Sequence, residues 1–199
     1  LREATDYQVP IFIKLGATRP RFDVAIAAKA GADVIVVDGA EGGTGASPEL
    51  LLDHTGIPTI STIRAAREAL DDCGMSGEVS LVAAGGIRSG TDAAKCLALG
   101  ADALMIGTGA LMALGCNSPR YFDDYDALGT SPGRCHHCHT GLCPVGVATQ
   151  DPELEKRVDV AAASELVARY LTAMTMEITL LAKACGKSQV HNLEVEDLR

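Results

Sequence analysis

The sequence predicts an α/β fold in which four βα units form the carboxyl-terminal half of a TIM (β/α)8 barrel, followed by a cysteine-rich loop and a helical tail. Short apolar runs alternate with Ala-rich segments, which is typical of βα repeats around a parallel sheet. The phrase Gly-Ala-Asp precedes two of these runs, at residues 31–33 and 100–102. A helix, a glycine stop and a buried strand therefore form the repeating unit.

The predicted elements follow one another closely along the first half of the chain. In chain order they are strand 11–15, helix 22–30, strand 33–38, helix 62–73, strand 79–84, helix 91–99 and strand 103–106, with a Gly-rich connection from 39 to about 61. An eight-stranded barrel needs about 250 residues. Four units therefore form either an open sheet or half of a barrel whose other half lies upstream. The chain begins with Leu1 rather than Met, which favours the half barrel.

Three regions are predicted along the chain. Residues 1–115 are expected to form the half barrel, residues 116–150 the cysteine-rich loop and residues 151–199 a helical extension. In that extension, residues 161–185 have the period of an amphipathic helix, with Met174 and Met176 expected in its buried stripe.

Composition narrows the function classes. The 199 residues are 47% hydrophobic, which is enough to bury a core. The net charge of −9 and the absence of a Lys/Arg cluster argue against a nucleic-acid partner. No apolar run reaches the length needed to cross a bilayer, and no signal segment is evident, so no membrane partner and a cytoplasmic location are expected.

The seven cysteines indicate metal or redox chemistry more than disulfides in such a chain. Three of them stand singly in helical segments and are expected to be structural, namely Cys73, Cys96 and Cys185. By contrast, Cys135, Cys138 and Cys143 lie within nine residues, and Cys116 precedes them at the end of an apolar helical run. These four are the candidate metal ligands.

Glycine pairs follow two of the strands. In α/β barrels the chemistry collects at the carboxyl ends of the strands, and the last two loops often bind phosphate. Gly85 and Gly86, with Arg88 beyond them, follow the third strand, and Gly107 and Thr108 follow the fourth. Their backbone amides, each pair leading into a helix, predict a phosphate site. The alternative is that these glycines only make tight turns.

Two further candidates lie at the ends of the first two strands. Lys14 stands inside an apolar run, where an ammonium needs a partner or a function, although a Lys that extends its charge to solvent would fit as well. The connection after the second strand contains Glu41, a candidate catalytic residue together with Lys14. Its neighbours Gly42, Gly43 and Thr44 offer backbone amides for substrate carboxylates.

Three motifs together are similar to the FMN domain of glutamate synthases, in matching order and spacing over roughly residues 9–150. They are Gly-Gly-Thr-Gly-Ala-Ser-Pro at 42–48, the glycine pair at 85–86, and Cys-His-Thr-Gly-Leu-Cys-Pro-Val-Gly-Val-Ala-Thr-Gln at 138–150. The resemblance implies FMN beside a 3Fe-4S iron–sulfur cluster, and reduction of 2-iminoglutarate, formed from 2-oxoglutarate and ammonia, to glutamate. Lys14 corresponds to the flavin-contacting lysine, and the two glycine loops to the phosphate loops.

The resemblance also implies partners. Electrons would enter through the cluster from a reductase subunit or a ferredoxin, and be passed on by FMN as hydride. The chain has no amidotransferase cysteine at its start, so glutamine hydrolysis, if used, would need a separate glutaminase subunit.

The cluster ligands depart from the family pattern. The last two match Cys138 and Cys143, and the first matches Cys116, but an insertion at about 117–134 separates them and brings Cys135. Either Cys116 or Cys135 is then the third ligand, or all four hold a 4Fe-4S cluster. A zinc site is the alternative, because His136, His137 and His139 lie among the same cysteines.

The insertion leaves the substrate open as well. Similar inserts resemble those of proteins related to N-methylglutamate synthases, so another amine or 2-oxo acid is an alternative substrate. The other alternative function is that of a non-catalytic metal-binding assembly subunit that keeps the motifs.

Overall fold

The computed structural model describes residues 1–42 and 48–198, apart from the side chains of Glu49, Leu52 and Asp53. Four parallel strands form one sheet whose spatial order follows the chain order. They are β1 (Phe12–Gly16), β2 (Val34–Asp38), β3 (Ser80–Ala84) and β4 (Ala103–Met105). An open doubly wound sheet reverses its strand order at a switch point, whereas a barrel keeps chain order. The observed order is therefore that of a barrel.

Helices connect these strands and continue beyond them. They are α1 (Pro20–Lys29), α2 (Glu49–His54), α3 (Thr59–Asp72), α4 (Gly90–Ala98), α5 (Thr108–Leu114), α6 (Phe122–Ala127), α7 (Pro152–Glu155) and α8 (Val160–Ala184). The strands and the helices α1, α3, α4 and α8 were predicted to within three residues at each end. Three short helices were not predicted: α2, inside the Gly-rich connection, α6, inside the insertion, and α7, at the start of the extension.

The sheet has two different faces. Ile35, Val37 and Leu81 are at most 1% exposed, and α1 and α3 both contact β2. On the opposite face, called the inner face here, Val36 and Val82 form part of a small apolar cluster. The inner face also carries Lys14 and Gly16 of β1 and Asp38 of β2, because side chains alternate along a strand.

The Gly-Ala-Asp repeat has a structural cause at the amino ends of the strands. Gly31 and Gly100 end α1 and α4 with positive φ angles of 93° and 106°, which a glycine adopts without strain. The aspartate of each repeat then accepts a hydrogen bond from a backbone amide of the preceding strand segment, at 2.6 Å for Asp33 and 2.7 Å for Asp102. Residues at this end of a barrel stabilise it rather than carry chemistry.

The described chain divides into two compact units. The first comprises residues 1–42, 48–106 and 174–198, and the second residues 107–173. The sheet belongs to the first unit. The region boundaries expected at residues 115 and 150 stay predictions. None of the helices in the described ranges has the length and apolar character required to cross a bilayer.

The long helix α8 lies where a helix was expected near residues 161–185, but part of the stripe expected to be buried is exposed. Met174 is buried, but Met176 is 68% exposed. Residues two positions apart on an α-helix point in directions about 200° apart around the helix axis. The two methionine side chains therefore cannot share a buried stripe. In the first unit, Ala182 of this helix packs instead against Ala94 and Ala98 of α4.

Candidate functional site

The carboxyl ends of the four strands are aligned in one row. Gly16 pairs with Asp38, Asp38 with Ala84, and Ala84 with Met105. Lys14 belongs to the preceding inner-face row, opposite Val36. Parallel strands bring their carboxyl ends to one edge, so the predicted site residues of β1 and the loops after β2 and β3 meet there.

An ion pair joins the first two strands at this edge. The Lys14 Nζ atom lies 2.8 Å from Asp38 Oδ2. The Lys14 side chain is 51% exposed and that of Asp38 14% exposed, so the ammonium has both a partner and an open side. Asp38 Oδ1 is buried and accepts no hydrogen bond from the described residues. It lies against Gly42 and Gly85, where an added Cβ atom would come within 1.8 and 3.0 Å of it.

Glu41 is anchored to the start of α3. Its Oε2 atom accepts hydrogen bonds from the Thr59 amide and the Thr59 hydroxyl, both at 2.8 Å. Burial disfavours the carboxylate, but the bonds from the Thr59 amide, the Glu41 amide and the Thr59 hydroxyl, with the charge of Arg88, keep the pKa of Glu41 below its ordinary value. Glu41 is therefore ionised at neutral pH.

Thr59 is a buried residue that contacts the loops after both β2 and β3. It is 4% exposed, and its hydroxyl also lies 2.9 Å from the Gly85 carbonyl oxygen. An added Cβ atom at Gly39 would come within 2.0 Å of the Thr59 Oγ1 atom and 2.5 Å of its Cα. The glycines at positions 39 and 85 are therefore explained in part by the close approach of their loops to Thr59.

The Gly85–Gly86 loop leads into a helix whose amino end already has partners. The side chains of Ser89 and Asp92 form a capping box with the backbone amides of the first turn. The Gly90 amide donates to Glu177 Oε2 at 2.7 Å. A phosphate at this loop would consequently depend on the loop amides and on Arg88 rather than on the end of α4.

The second predicted phosphate loop differs from the first. Gly107 is the N-cap of α5, and no side chain caps the helix there. A Cβ atom built on Gly107 would meet nothing within 4 Å, and Thr108 is exposed. This loop leaves open space beside its backbone, as an approaching ligand requires.

The predicted substrate amides are only partly described. The Gly42 amide donates to the Gly39 carbonyl oxygen at 2.9 Å in a turn, so it is not free to receive a carboxylate. Gly43 and Thr44 lie outside the described residues. Substrate binding by amides of this loop therefore stays a prediction for these two positions.

The four candidate ligands all lie in the second unit. Cys143 is buried in a cluster with Tyr125 and Val145, and Cys135 packs against that cluster. Burial raises the pKa of the Cys116 thiol, and nearby Cys138, Cys143 and Cys135 raise it further. The Cys116 thiol thus lies within electrostatic reach of the other three cysteines.

Tyr125 of α6 completes this neighbourhood. It is 1% exposed, and its hydroxyl has no hydrogen-bond partner among the described residues. Burial and then the charges of Cys135, Cys116 and Cys143 raise the pKa of Tyr125 to about 12. A buried polar atom without a partner is unusual in a native protein and asks for an explanation.

The zinc alternative can be compared with the geometry. Tetrahedral bonds of about 2.3 Å bring the sulfur atoms of a zinc site to about 3.8 Å from one another. Among the described His, Cys, Asp and Glu residues, no three are grouped closely enough to hold a single metal ion. His136 and His137 stack on each other, with ring centroids 4.9 Å apart.

Sequence reasoning missed three residues of these sites. Asp38 was assigned only as the end of a strand, Thr59 as part of a loop, and Tyr125 as part of an unassigned insertion. Asp38 could have been found, because a carboxylate at the carboxyl end of a buried strand is costly without a partner. The hydroxyls of Thr59 and Tyr125 give no signal in the sequence.

Comparison with known proteins gives a consistent result. The sequence matches the family described as a conserved region in glutamate synthase over residues 1–188. It is 52% identical to the glutamate synthase large subunit-like protein of Rhizobium meliloti, covering 100% of this chain and 45% of that protein. It is 41% identical to the archaeal glutamate synthase (NADPH) of Methanocaldococcus jannaschii, covering 97% of this chain and 35% of that protein. The chain thus spans less than half the length of these two curated relatives.

A solved structure supports the fold. A flavocytochrome b2 variant with sulfite bound is 20% identical, with a TM-score of 0.60, covering 98% of this chain and 36% of that chain. At this identity the likeness concerns the fold alone. It confirms the predicted α/β class with part of a TIM-type barrel.

Proposed function

Because the chain belongs to the glutamate synthase family, we propose that it is part of an FMN- and iron–sulfur-dependent oxidoreductase that reduces 2-iminoglutarate, formed from 2-oxoglutarate and ammonia, to L-glutamate. The observation that carries this proposal is the Lys14 ammonium at the carboxyl edge of the inner face, 2.8 Å from Asp38 and half exposed. A fixed cation with an open side suits the pyrimidine edge of a flavin, where it stabilises the negative charge of the reduced ring.

FMN, when bound, supplies a hydride to the imine carbon while a proton reaches the imine nitrogen, so that the C=N double bond becomes the C–N bond of the amino acid. The protein side chains orient the reactants and stabilise charge. Lys14 would contact the pyrimidine edge of the flavin, and Asp38 would hold Lys14 in place through their ion pair. Glu41, ionised because of its bonds to Thr59, is the proposed carboxylate that stabilises the protonated imine.

Backbone amides are the proposed ligands of the FMN phosphate. In the first unit these belong to Gly85 and Gly86, with the guanidinium of Arg88. In the second unit they belong to Gly107 and Thr108. The uncapped start of α5 and the open space at Gly107 favour a phosphate contact there.

The second unit is proposed to hold the iron–sulfur cluster. Its ligands are Cys138 and Cys143 with Cys116, Cys135 or both, which corresponds to a 3Fe-4S or a 4Fe-4S cluster. The Tyr125 hydroxyl, which has no hydrogen-bond partner in the described part of the chain, fits a site that is completed by sulfur acceptors. These cysteines would hold the cluster, which would supply single-electron transfer from a reductase subunit or a ferredoxin. Ammonia would come from solution or from a separate glutaminase subunit.

A second amine substrate is the alternative. The relative at 52% identity is named glutamate synthase large subunit-like, and α6 with Tyr125 occupies the insertion after Cys116. In this alternative, methylamine would replace ammonia, and the imine that it forms with 2-oxoglutarate would accept the hydride and a proton to give N-methylglutamate. The two candidates differ only in the amine.

The test uses the full-length protein under anaerobic conditions. Its flavin is reduced with dithionite, the excess is removed, and 2-oxoglutarate is added with ¹⁵N-labelled ammonium or with methylamine. We expect flavin reoxidation and labelled glutamate only when 2-oxoglutarate and ammonium are both present. Faster reoxidation with methylamine, with N-methylglutamate as product, would select the second candidate. A flavin that neither mixture reoxidises would overturn both.

A further inference from the structure

The hydroxyl of Tyr125 is a buried polar group of the second unit. The side chain is 1% exposed, and its oxygen has no hydrogen-bond partner among the residues described. Burial of a hydroxyl without a partner is unfavourable, because the bond it made to water in the unfolded chain is lost. A residue that only filled space would serve equally well as Phe.

The surroundings of this hydroxyl are rich in sulfur. Tyr125 shares one buried cluster with Cys143 and Val145, and Cys135 packs against the same cluster. The remaining members around it are Tyr121, Val147 and Ala148, which offer no carboxylate. The cysteine sulfur atoms thus lie in the same cluster as this phenol, but none of those described is its hydrogen-bond partner. A phenol keeps its proton at neutral pH and can donate it to an acceptor.

The position of α6 beside the cysteines is fixed by a neighbouring arginine. Arg157 donates to both carboxylate oxygens of Asp124, at 3.0 and 3.3 Å, and to the Pro144 carbonyl oxygen at 2.6 Å. Its guanidinium also lies 4.6 Å from the centroid of the Tyr121 ring. Asp124 precedes Tyr125, and Pro144 follows Cys143, so this arginine ties the two segments together.

We propose that the Tyr125 hydroxyl donates a hydrogen bond to an inorganic sulfide of the iron–sulfur cluster and so raises the reduction potential of the cluster. The inference rests on the proposed function, since it requires the cluster. Hydrogen bonds to the sulfur atoms are among the factors that set cluster potentials. A donor stabilises the reduced cluster more than the oxidised one, because the reduced cluster carries more negative charge. Tyr125 is thus a positioning residue that acts on the reaction through the cluster.

The experiment compares the full-length holoprotein with Tyr125→Phe and, as a matched control, Tyr121→Phe. Iron and sulfide content are measured first, and the midpoint potential of the cluster is then determined by a redox titration followed by electron paramagnetic resonance. We expect full iron content in all three proteins, a more negative potential for Tyr125→Phe, and an unchanged potential for Tyr121→Phe. An unchanged potential in iron-replete Tyr125→Phe would overturn the hydrogen bond and leave the proposed function intact.

A second variant keeps the inference testable if Tyr125→Phe loses its cluster. Incorporation of 3-fluorotyrosine at position 125 preserves the shape and makes the phenol a stronger donor. The potential should then shift to a more positive value. No shift would again overturn the hydrogen bond, whereas a wild-type protein without iron or sulfide would overturn the proposed cluster itself.

Discussion

The ammonium of Lys14 lies 2.8 Å from the carboxylate of Asp38, so that β1 and β2 are joined by a charge pair at their carboxyl ends. Asp38 partly neutralises Lys14, and the pair sets the electrostatic potential at the proposed flavin edge. Asp38→Asn should therefore raise the flavin midpoint potential, and Lys14→Met should lower it. For a two-electron couple, a tenfold change in the equilibrium is about 30 mV.

Redox titration of the flavin absorbance measures both shifts. Asp33→Asn is the control, because Asp33 lies at the amino end of β2 and binds Arg2 there at 2.8 Å. The Asp33→Asn substitution should lower the free energy of unfolding but leave the midpoint potential of the flavin unchanged. Shifts of the same sign in the Asp38 and Lys14 variants would contradict this role of the pair.

Substitutions of Thr59 test the hydrogen bond that holds Glu41 at the start of α3. Thr59→Val keeps the size of the side chain but removes the hydroxyl that donates to Glu41. We expect a loss of about 2 kcal/mol in the free energy of unfolding, as for a buried hydrogen bond to a charged group. Thr59→Ser retains the hydroxyl and should lose less. Urea unfolding of the two variants measures the difference, and a loss in Thr59→Ser as large as that in Thr59→Val would contradict the prediction that the hydroxyl contributes most.

Gly39 tests the close approach of the loops. An added Cβ atom would come within 2.5 Å of backbone atoms of Thr59, which cannot move without shifting the start of α3. Gly39→Ala should cost about 3 kcal/mol. Gly16→Ala is the matched control, since nothing lies within 4 Å of its added Cβ atom, and it should change stability by less than about 1 kcal/mol. Similar unfolding midpoints for both variants would refute the packing.

The carboxylate of Glu41 predicts a dependence of stability on pH. Its folded pKa lies below the ordinary 4.5, so its contribution is complete above that value and is lost as the pH falls through the folded pKa. Glu41→Gln should accordingly be less stable than the wild type at neutral pH. The difference should shrink in acid. Urea unfolding across the acid range measures it, and a difference that grows as the pH falls would contradict the sign.

The cysteines test the proposed cluster. Cys138→Ser and Cys143→Ser should each abolish iron binding, because a hydroxyl is a poor ligand for iron in place of a thiolate. Cys185→Ser is the control and should retain full iron content. The same measurement on Cys116→Ser and Cys135→Ser identifies the remaining ligand or ligands. Full iron in the Cys143 variant would refute the ligand set.

Much of the fold could be predicted from the sequence because its signals are local. Unbroken apolar runs such as Val34–Val37 and the glycine stops at Gly31 and Gly100 fix strands and helix ends within a few residues. The short helix α2 was missed because its six residues lie in a Gly-rich connection. Met176 was misplaced because residue type was considered without its angle around the helix axis.

The candidate site was less predictable because its interactions cross between loops. The approach of Gly39 to Thr59 spans twenty residues of sequence, and the capping of α4 by Glu177 joins residues 87 positions apart. No local pattern encodes such contacts. Phosphate and substrate binding by the predicted glycines stays a prediction, and the close packing at Gly39, Gly42 and Gly85 was not predicted.

The visible spectrum of the intact full-length protein, purified anaerobically and recorded before and after reduction, tests the central claim most directly. We expect a flavin band that bleaches on reduction, above a broad iron–sulfur absorption, with iron and acid-labile sulfide both present. A protein that contains neither flavin nor iron after anaerobic purification would contradict the account.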